Sequence, residues 1–320
     1  MDTTSLFYFR ELARELHMTR TAERLFISQQ TLSNHIQRLE QQLGCQLFLR
    51  KPSLSLTYAG EQVLRFADDL LRSQENLENI LAEITEQDRG LIRFGASALR
   101  MNACLPAILP EFSAEFPEVE LRLLDYVSND LEPRVLSGEL DFAVTAEGTE
   151  ESALINEFLM DDPIFLCVSE RLLRQVCGDR TDALKARAIN GADIRDFSGL
   201  PYCSFENRLG YQVRQCFQAA GLTPKVRFTA YHTQIVTTIG LKGLAAFFGT
   251  QMGLSNREDE ILDDMNIFPL VFNGKPLCQR IQFIRNPKRY MTRYDLRFRE
   301  LIFRYFTDLQ SHRIQRTARF

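Results

Sequence analysis

The stretch from Thr19 to Gly60 constrains the fold more than any other part of this chain. Apolar residues recur at helical spacing on both sides of a short break, and a small alternating segment follows. Thr19 suits an N-cap, and Thr21 to Leu25 fits a short helix with Ala22 and Leu25 inward. Phe26 and Ile27 make a turn that is expected to be buried. Ser28 caps the next helix, in which Leu32, Ile36, Leu39 and Leu43 share one face, and Gly44 stands at the C′ position. The opposite face carries Gln29, Gln30, Thr31, Ser33, Asn34 and Gln37. These are short uncharged donor-acceptor side chains that suit base edges. Arg50-Lys51-Pro52 follows, and then Leu54 and Leu56 alternate with Ser53, Ser55 and Thr57. That segment reads as a β-wing with Arg50 and Lys51 at its base for phosphates. The layout is a mostly α winged helix-turn-helix, which places its second helix in the major groove of DNA. An ordinary three-helix packing unit with a polar surface face has the same periodicity, so the pattern by itself leaves both readings open.

The residue string goes further than the pattern. Residues 6–60 resemble the DNA-binding domain of LysR-type transcriptional regulators at Phe9, Thr19, Arg20, Ala22, Leu25, Ser28-Gln29, Leu32-Ser33, Ile36, Leu39-Glu40, Leu43-Gly44, Leu47-Phe48, Arg50, Leu56-Thr57 and Ala59-Gly60. Weaker motifs extend the resemblance to about residue 305. Thr21 departs from the family's usual second Ala, Gln30 from its usual Pro, and Asn34 from a frequent Arg or polar residue. The last two lie on the groove face, so the resemblance implies binding to double-stranded DNA but no base preference.

A chain of 320 residues suits two or three domains. The expected division is a DNA-binding domain over 1–60, a linker helix over 61–89, an effector domain over 90–310 and a basic tail over 311–320. Net charge is −4, which alone counts against a DNA binder, but its distribution is uneven. Residues 1–60 carry seven basic against five acidic side chains, residues 61–274 nineteen against thirty-four, and residues 275–320 twelve against three. The acidic middle is expected to face solvent or a ligand. Arg313, Arg316 and Arg319 in the tail read as a solvated segment or as an extra phosphate contact.

From Gly60 to about Gln87 no further Gly or Pro occurs. Val63, Ala67, Leu70, Gln74, Leu77, Leu81 and Ile84 alternate at four and three, a heptad seam. A dimer seam is expected at Val63, Leu70, Gln74, Leu77, Leu81 and Ile84, with Gln74 buried to set register. A dimer would hold two recognition helices at a fixed spacing for a two-fold site. In the resembled family this is the linker helix, and dimers often pair into tetramers.

Beyond Gly90 the texture changes. Strands are expected at 91–95, 119–123 and 140–144, with helices at 104–116 and 131–137 between them, which implies a parallel sheet. Further strands are expected at 164–168, 225–230, 244–248, 268–272 and 280–284, and helices at 208–220 and 233–241. The chain should therefore cross twice between two α/β lobes, near 162 and near 266. Lobe I would comprise 90–161 and 267–310, and lobe II 162–266. A hinged cleft between lobes is a natural small-molecule site. The resemblance implies the same architecture, an effector domain similar to periplasmic binding proteins.

In open α/β sheets ligands sit outside the carboxyl ends of the strands. The candidates at such ends are Ser97, Ser128, Asn129 and Thr145 in lobe I. In lobe II they are Ser204, Phe205 and Asn207, read as opening one helix, and His232 and Thr233, read as opening the next. Each alone is equally well a cap or a turn residue; their convergence is what points to a site. The resemblance places effector contacts at Ser97, Ser128 and Thr145. Leu99 stands where the family often has a hydroxyl, which leaves an uncharged or partly apolar effector open beside a carboxylate.

Seven scattered cysteines without a CxxC pair fit a reducing cytoplasm and neither a disulfide framework nor a zinc site. Some members of the resembled family sense peroxide through a cysteine pair. Cys216 resembles the resolving member, Asn207 occupies the reactive position, and Cys203 is the nearest substitute. Four distant histidines and the absence of HExxH, GxSxG, P-loop and dinucleotide motifs argue against an enzyme. No export signal or membrane span is expected. The expected partners are promoter DNA, a second copy of the chain in dimers or tetramers, a small metabolite and RNA polymerase, with no cofactor. The runners-up are a thiol sensor of the same fold and a small-molecule binding protein without a transcriptional role.

Overall fold

The computed structural model of the chain describes residues 2–51, 53–85, 89–147, 153–255, 257, 261 and 264–311. It divides into two compact units, Met1–Gln87 and Asp88–Phe320.

The first unit is built from α1 (Thr3–Glu15), α2 (Met18–Arg24), α3 (Gln29–Leu43), a hairpin of β1 (Phe48–Leu49) and β2 (Ser55–Leu56), and α4 (Tyr58–Ile84). Asp2 caps α1 by accepting from the Ser5 N–H at 2.7 Å. Leu6, Phe9 and Leu12 on α1 meet Ala22, Leu32, Ile36 and Leu39 in one core. Leu43 was expected on that face but lies at the helix end, 38% exposed. The cap of α2 is also displaced. His17, not Thr19, accepts from the Arg20 N–H, and Thr19 lies inside the helix.

The turn between α2 and α3 departs from its expected burial. Phe26 N–H donates to Glu23 O and Ile27 N–H to Ala22 O, which is a Schellman ending. This puts Phe26 in the left-handed region at φ 55° and turns its ring outward, 96% exposed. Ile27, the next residue, packs against the core instead. The same ending closes α3 at Gly44, where a glycine takes the strained position at φ 68°.

The Leu-Thr-x-x-Gly string of the family motif has a geometric basis. Thr57 Oγ1 accepts from Gly60 N–H at 2.9 Å, capping α4, and donates to Gln46 O at 2.8 Å. A Cβ on Gly60 would lie 2.2 Å from Leu47 O. Only glycine lets α4 start against the hairpin.

Ala67, Val63 and Leu70 pack on the core of their own unit. Ala67 is buried by these contacts, and Val63 and Leu70 are half-buried. Gln74 is exposed and donates to Glu78. Leu77, Leu81 and Ile84 are 55%, 52% and 71% exposed, so the expected seam is most open at this far end.

The second unit begins with β3 (Gly90–Ala96), α5 (Ala98–Glu115), β4 (Val119–Asp125), α6 (Ser128–Ser137) and β5 (Phe142–Ala146). Strands β3, β4 and β5 are parallel, as the alternation with helices requires. Helix α5 starts six residues before the expected 104, because Asp125 Oδ1 accepts from Ala98 N–H at 2.8 Å and fixes the first turn.

Strand β6 (Ile155–Ser169) is longer than the five residues expected and runs through both lobes. Then come α7 (Glu170–Cys177), α8 (Thr181–Ala188), β7 (Ala192–Asp193), β8 (Pro201–Phe205), α9 (Arg208–Ala219), β9 (Lys225–Ala230), α10 (Thr233–Leu241), β10 (Phe247–Thr250), α11 (Gln251–Ser255), β11 (Met265–Phe272), β12 (Lys275–Pro276), β13 (Cys278–Arg285) and α12 (Arg293–Ser311).

The second half of β6 pairs antiparallel with β10 and with β11, whose Met265 to Pro269 face Ser169 to Phe165. Strand β11 thus belongs to lobe II, where Ile267, Phe268 and Leu270 join its core. The chain returns to lobe I at β13, which pairs with the first half of β6 and with β5. The second crossing is therefore near 277, later than the 266 read from the sequence. Each lobe has its own core, around Phe94, Phe112 and Phe298 in lobe I and around Tyr202, Phe217 and Phe248 in lobe II. Arg313, Arg316 and Arg319 lie outside the described residues.

Candidate functional site

Two surfaces carry candidate chemistry. On the first unit, Ser28 Oγ accepts from Thr31 N–H at 3.0 Å and caps α3. Gln29, Gln30, Thr31, Asn34 and Gln37 are exposed and Ser33 half-exposed. Gln30 donates to Asn34 Oδ1 at 2.9 Å, one turn along the same face. Arg38 continues this face, exposed, four residues after Asn34, and was missed as a candidate. The period-four spacing 30, 34, 38 carried the signal.

Glu40 ties this helix to the wing. Its Oε1 accepts from Leu47 N–H at 2.8 Å and Phe48 N–H at 3.3 Å. Arg50 and Lys51 extend from β1 on the hairpin loop, both exposed, with Arg50 4.0 Å from Glu40. Helix α3 and the β1–β2 hairpin are thus held in one frame by a carboxylate.

On the second unit, a cleft of about 330 Å³ opens between the lobes. Ser97, Ser128, Asn129, Asn207, His232 and Thr233 all line it, as their strand-end positions predict. Asn207 caps α9 through Gly210 N–H and reaches Thr233 Oγ1 at 3.2 Å. Three candidates fall elsewhere. Thr145 is fully buried beneath the floor, donating to Ala146 O at 3.1 Å. Ser204 lies on β8 and faces a wider groove of about 1150 Å³ beside the cleft. Phe205 is 1% exposed in the lobe II core, because β8 continues through it before α9 starts.

Two arginines that the sequence reading passed over dominate the cleft. Arg208 of lobe II donates from Nη2 to Asn129 Oδ1 at 2.9 Å and from Nη1 to Ala146 O, both in lobe I. Its side chain lines both the cleft and the wider groove. Arg100, 6% exposed, donates from Nη1 to Ser97 Oγ and to Ser128 Oγ, each at 3.2 Å. Burial pushes its guanidinium down to about 10, against the pull of nearby Asp162. Asp162 sits on β6 at the lobe crossing, accepts from Met252 N–H at 3.0 Å, and is pushed up to about 6 by burial. The strand-end candidates were hydroxyl, amide, ring and imidazole side chains, and neither arginine was among them.

Cys203 and Cys216 are buried at 2% and 4% exposure. Burial pushes the Cys203 thiol up to about 11 and that of Cys216 upward too. Thiols so placed stay protonated near neutrality, whereas the thiolate is the reactive form. Among the described residues no helix is long and apolar enough to cross a membrane.

Comparison with known proteins fits both surfaces. Residues 3–61 match the model of bacterial regulatory helix-turn-helix proteins of the lysR family, and residues 85–306 match the LysR substrate binding domain. An uncharacterized HTH-type transcriptional regulator of Bacillus subtilis (strain 168), YcgK, is 26% identical over 275 residues, covering 82% of this chain and 84% of that one. A full-length OxyR from Pseudomonas aeruginosa, carrying one cysteine-to-aspartate substitution, has the same fold at a TM-score of 0.67 and 19% identity, over 96% of this chain and 94% of that one. Full-length CbnR in complex with its target DNA is similar at a TM-score of 0.56 and 18% identity, over 95% of this chain and all of that one. With an N-terminal helix-turn-helix and a two-lobed α/β effector-binding domain, the chain belongs to the LysR family of DNA-binding transcriptional regulators.

Proposed function

We propose that this regulator reads promoter DNA with the exposed uncharged face of α3 and responds to a small metabolite held between the lobes of its second unit. The observation that carries the reading is the pairing of a capped helix presenting Gln29, Gln30, Asn34 and Gln37 with a cleft on which six strand-end residues converge. Ser28, Thr31 and Ser33 complete the groove face, and Arg50 and Lys51 serve phosphates. The structure of CbnR on its target DNA supports DNA as the partner of the first unit. Leu77, Leu81 and Ile84 join two copies through the open end of α4, with dimers or tetramers as the working form. The protein acts in the cytoplasm, without catalysis and without a cofactor.

The effector works by differential affinity for two arrangements of the lobes. Closing the cleft changes half-site spacing or DNA bending, so effector alters the footprint more than the affinity. Fluorescence anisotropy on a labelled fragment upstream of the coding region tests the DNA half. Binding should weaken steeply with salt. Gln29→Ala with Asn34→Ala should lower affinity by about tenfold or more, as the loss of base contacts worth roughly 1–3 kcal/mol each implies. Equal affinity of the double variant at every salt would remove α3 as the reader.

A further inference from the structure

Asp2, Ser5 and His35 form a hydrogen-bonded chain from the first turn of α1 to α3. Ser5 is buried, and its Oγ stands 2.9 Å from Asp2 Oδ2 and 2.9 Å from His35 Nδ1. A hydroxyl has one proton, and the Asp2 carboxylate can only accept it. His35 Nδ1 therefore carries a proton and donates to Ser5 Oγ. Tyr8 meets the imidazole edge to face, with ring centroids 4.8 Å apart at 69°. His35 is half-buried, and its Nε2 has no hydrogen-bond partner among the described residues. The ring is thus fixed in orientation and in tautomer, with one nitrogen left over.

Capping does not require this chain, because Asp2 already caps α1 through the Ser5 N–H. The place of His35 on α3 suggests its use. Thr31, four residues before, and Arg38, three after, are its neighbours on the helix surface, and both are exposed. His35 lies on the flank of the face made by Gln30, Asn34 and Arg38, about 100° round from Asn34. A helix with its side chains is about 10–12 Å across, and the major groove is about 12 Å wide. A helix that reads base edges with one face therefore has its flanks against the sugar-phosphate walls. The charged and titratable groups around the ring are Asp2 and Tyr8 from α1 and Arg38 from its own helix. The Ser5 N–H and hydroxyl hold the Asp2 carboxyl below its ordinary value, with a smaller pull from His35, so Asp2 is an anion near neutrality. An anion at the end of the chain favours a positive imidazole. Protonation at Nε2 leaves the Nδ1 bond to Ser5 intact.

We propose that His35 is a phosphate contact of α3, aimed by Ser5 and Tyr8, whose Nε2 takes a proton from solvent as DNA binds and donates it in a hydrogen bond to a phosphate oxygen. Asp2 and Ser5 act through His35 as positioning residues. Imidazole is the side chain whose ordinary charge change falls between pH 5 and 8, so affinity for DNA rises as pH falls through that range. His17, the other histidine of this unit, works in the opposite sense. Its Nδ1 accepts from the Arg20 N–H at 3.3 Å, and a proton there would remove the cap of α2. This rests on the reading of α3 as the helix that enters the groove.

Fluorescence anisotropy of the full-length protein tests it, between pH 8 and pH 6 at fixed salt, on the labelled upstream fragment and on a random-sequence duplex of equal length. Affinity for both should rise severalfold as pH falls, by no more than about tenfold per pH unit, the limit for uptake of one proton. His35→Gln keeps a donor for Ser5 but cannot be charged. It should flatten the rise and reduce the salt slope at pH 6 by about 1. Asp2→Asn keeps the cap of α1 and should move the rise to lower pH. Calorimetry of binding at pH 6.5 in two buffers of different ionisation enthalpy counts the proton without any variant, so the test stands even if His35→Gln folds poorly. Three results would overturn the proposal: no proton uptake, a pH dependence that His35→Gln retains, or a rise confined to the upstream fragment, which would put Nε2 on a base edge. The reading of α3 is tested apart by Gln29→Ala with Asn34→Ala. If that double variant loses affinity while His35→Gln titrates like the wild type, α3 stands and only the phosphate contact is refuted. If neither variant changes affinity at any pH, both readings fall together.

Discussion

Arg208 Nη2 donates to Asn129 Oδ1 at 2.9 Å, and one side chain of lobe II thereby spans the cleft to the first turn of α6 in lobe I. The same guanidinium also holds Ala146 O. A planar fork holds both acceptors in a fixed geometry from two separate nitrogens, whereas an ammonium is a single point with rotatable donors. The latch ties the start of α9 to lobe I, beside Gln212, whose Nε2 donates to Cys278 O of β13 at 2.9 Å. Gly210, two residues on, allows that start, since a Cβ there would lie 1.9 Å from Phe205 O.

Arg208→Ala should loosen the lobes without unfolding them. The side chain is half-exposed, so the loss in stability is about 1 kcal/mol. Hydrogen exchange around 127–131 and 207–212 should accelerate, and Arg208→Lys should restore little of the protection. Unchanged exchange in both variants would show that the lobes are held by other contacts.

The turn before the recognition helix carries strain. Phe26 occupies the left-handed region that Gly44 occupies after α3. Phe26→Gly should stabilise the first unit by roughly 0.5–1 kcal/mol in urea denaturation, the relief of a left-handed non-glycine residue less glycine's own entropy cost. A loss of stability would mean that the exposed ring is covered in the assembled protein.

Stability of the second unit should depend on pH through Asp162. Its folded value is raised from 3.8 to about 6, so the folded state binds its proton more readily than the unfolded state. The cost of the buried charge is present in full above pH 6 and is relieved as pH falls toward 4. Its size is of order 2–3 kcal/mol. Asp162→Asn should raise the unfolding midpoint at pH 7.5 and flatten its dependence between pH 7 and pH 5. Glu157, lowered chiefly by its hydrogen bond from Arg299, acts in the opposite sense, and its stabilisation is lost as pH falls below its unfolded value, near 4.5. A wild-type midpoint that is flat across pH 5–7 would refute the assignment.

Mild peroxide should leave Cys203 and Cys216 unlinked. Both are buried, and both thiols are pushed toward the protonated form. Mass spectrometry of tryptic peptides after peroxide should show no bond between them, and finding one would revive the thiol-sensing reading.

Local signals were the legible part of this chain. Ser28 and Gly44 act within a few residues of themselves, and Leu32, Ile36 and Leu39 obey one period. Features that depend on distant partners were not legible. Phe26 looked like core because its hydrophobicity is visible and its backbone angle is not. Strand β11 looked like part of lobe I because alternation says nothing about which half of β6 it pairs with. Val63 and Leu70, read as part of a dimer seam, also touch the core of their own unit, because a heptad face does not say how much of it that core covers. Thr145 and Phe205 are strand-end residues whose neighbours bury them. Arg100 was not legible as a site residue, because its burial and its hydrogen bond to Ser128, on another helix, exist only in the fold.

The central claim is that α3 reads a two-fold site on DNA, and a nuclease footprint of the full-length protein tests it most directly. The DNA is the region upstream of the coding sequence and of its neighbours, at moderate salt. The account predicts a protected two-fold site several helical turns long, lost when Gln29 and Asn34 are both replaced by alanine. Absence of protection, or protection that survives the double replacement, would contradict it.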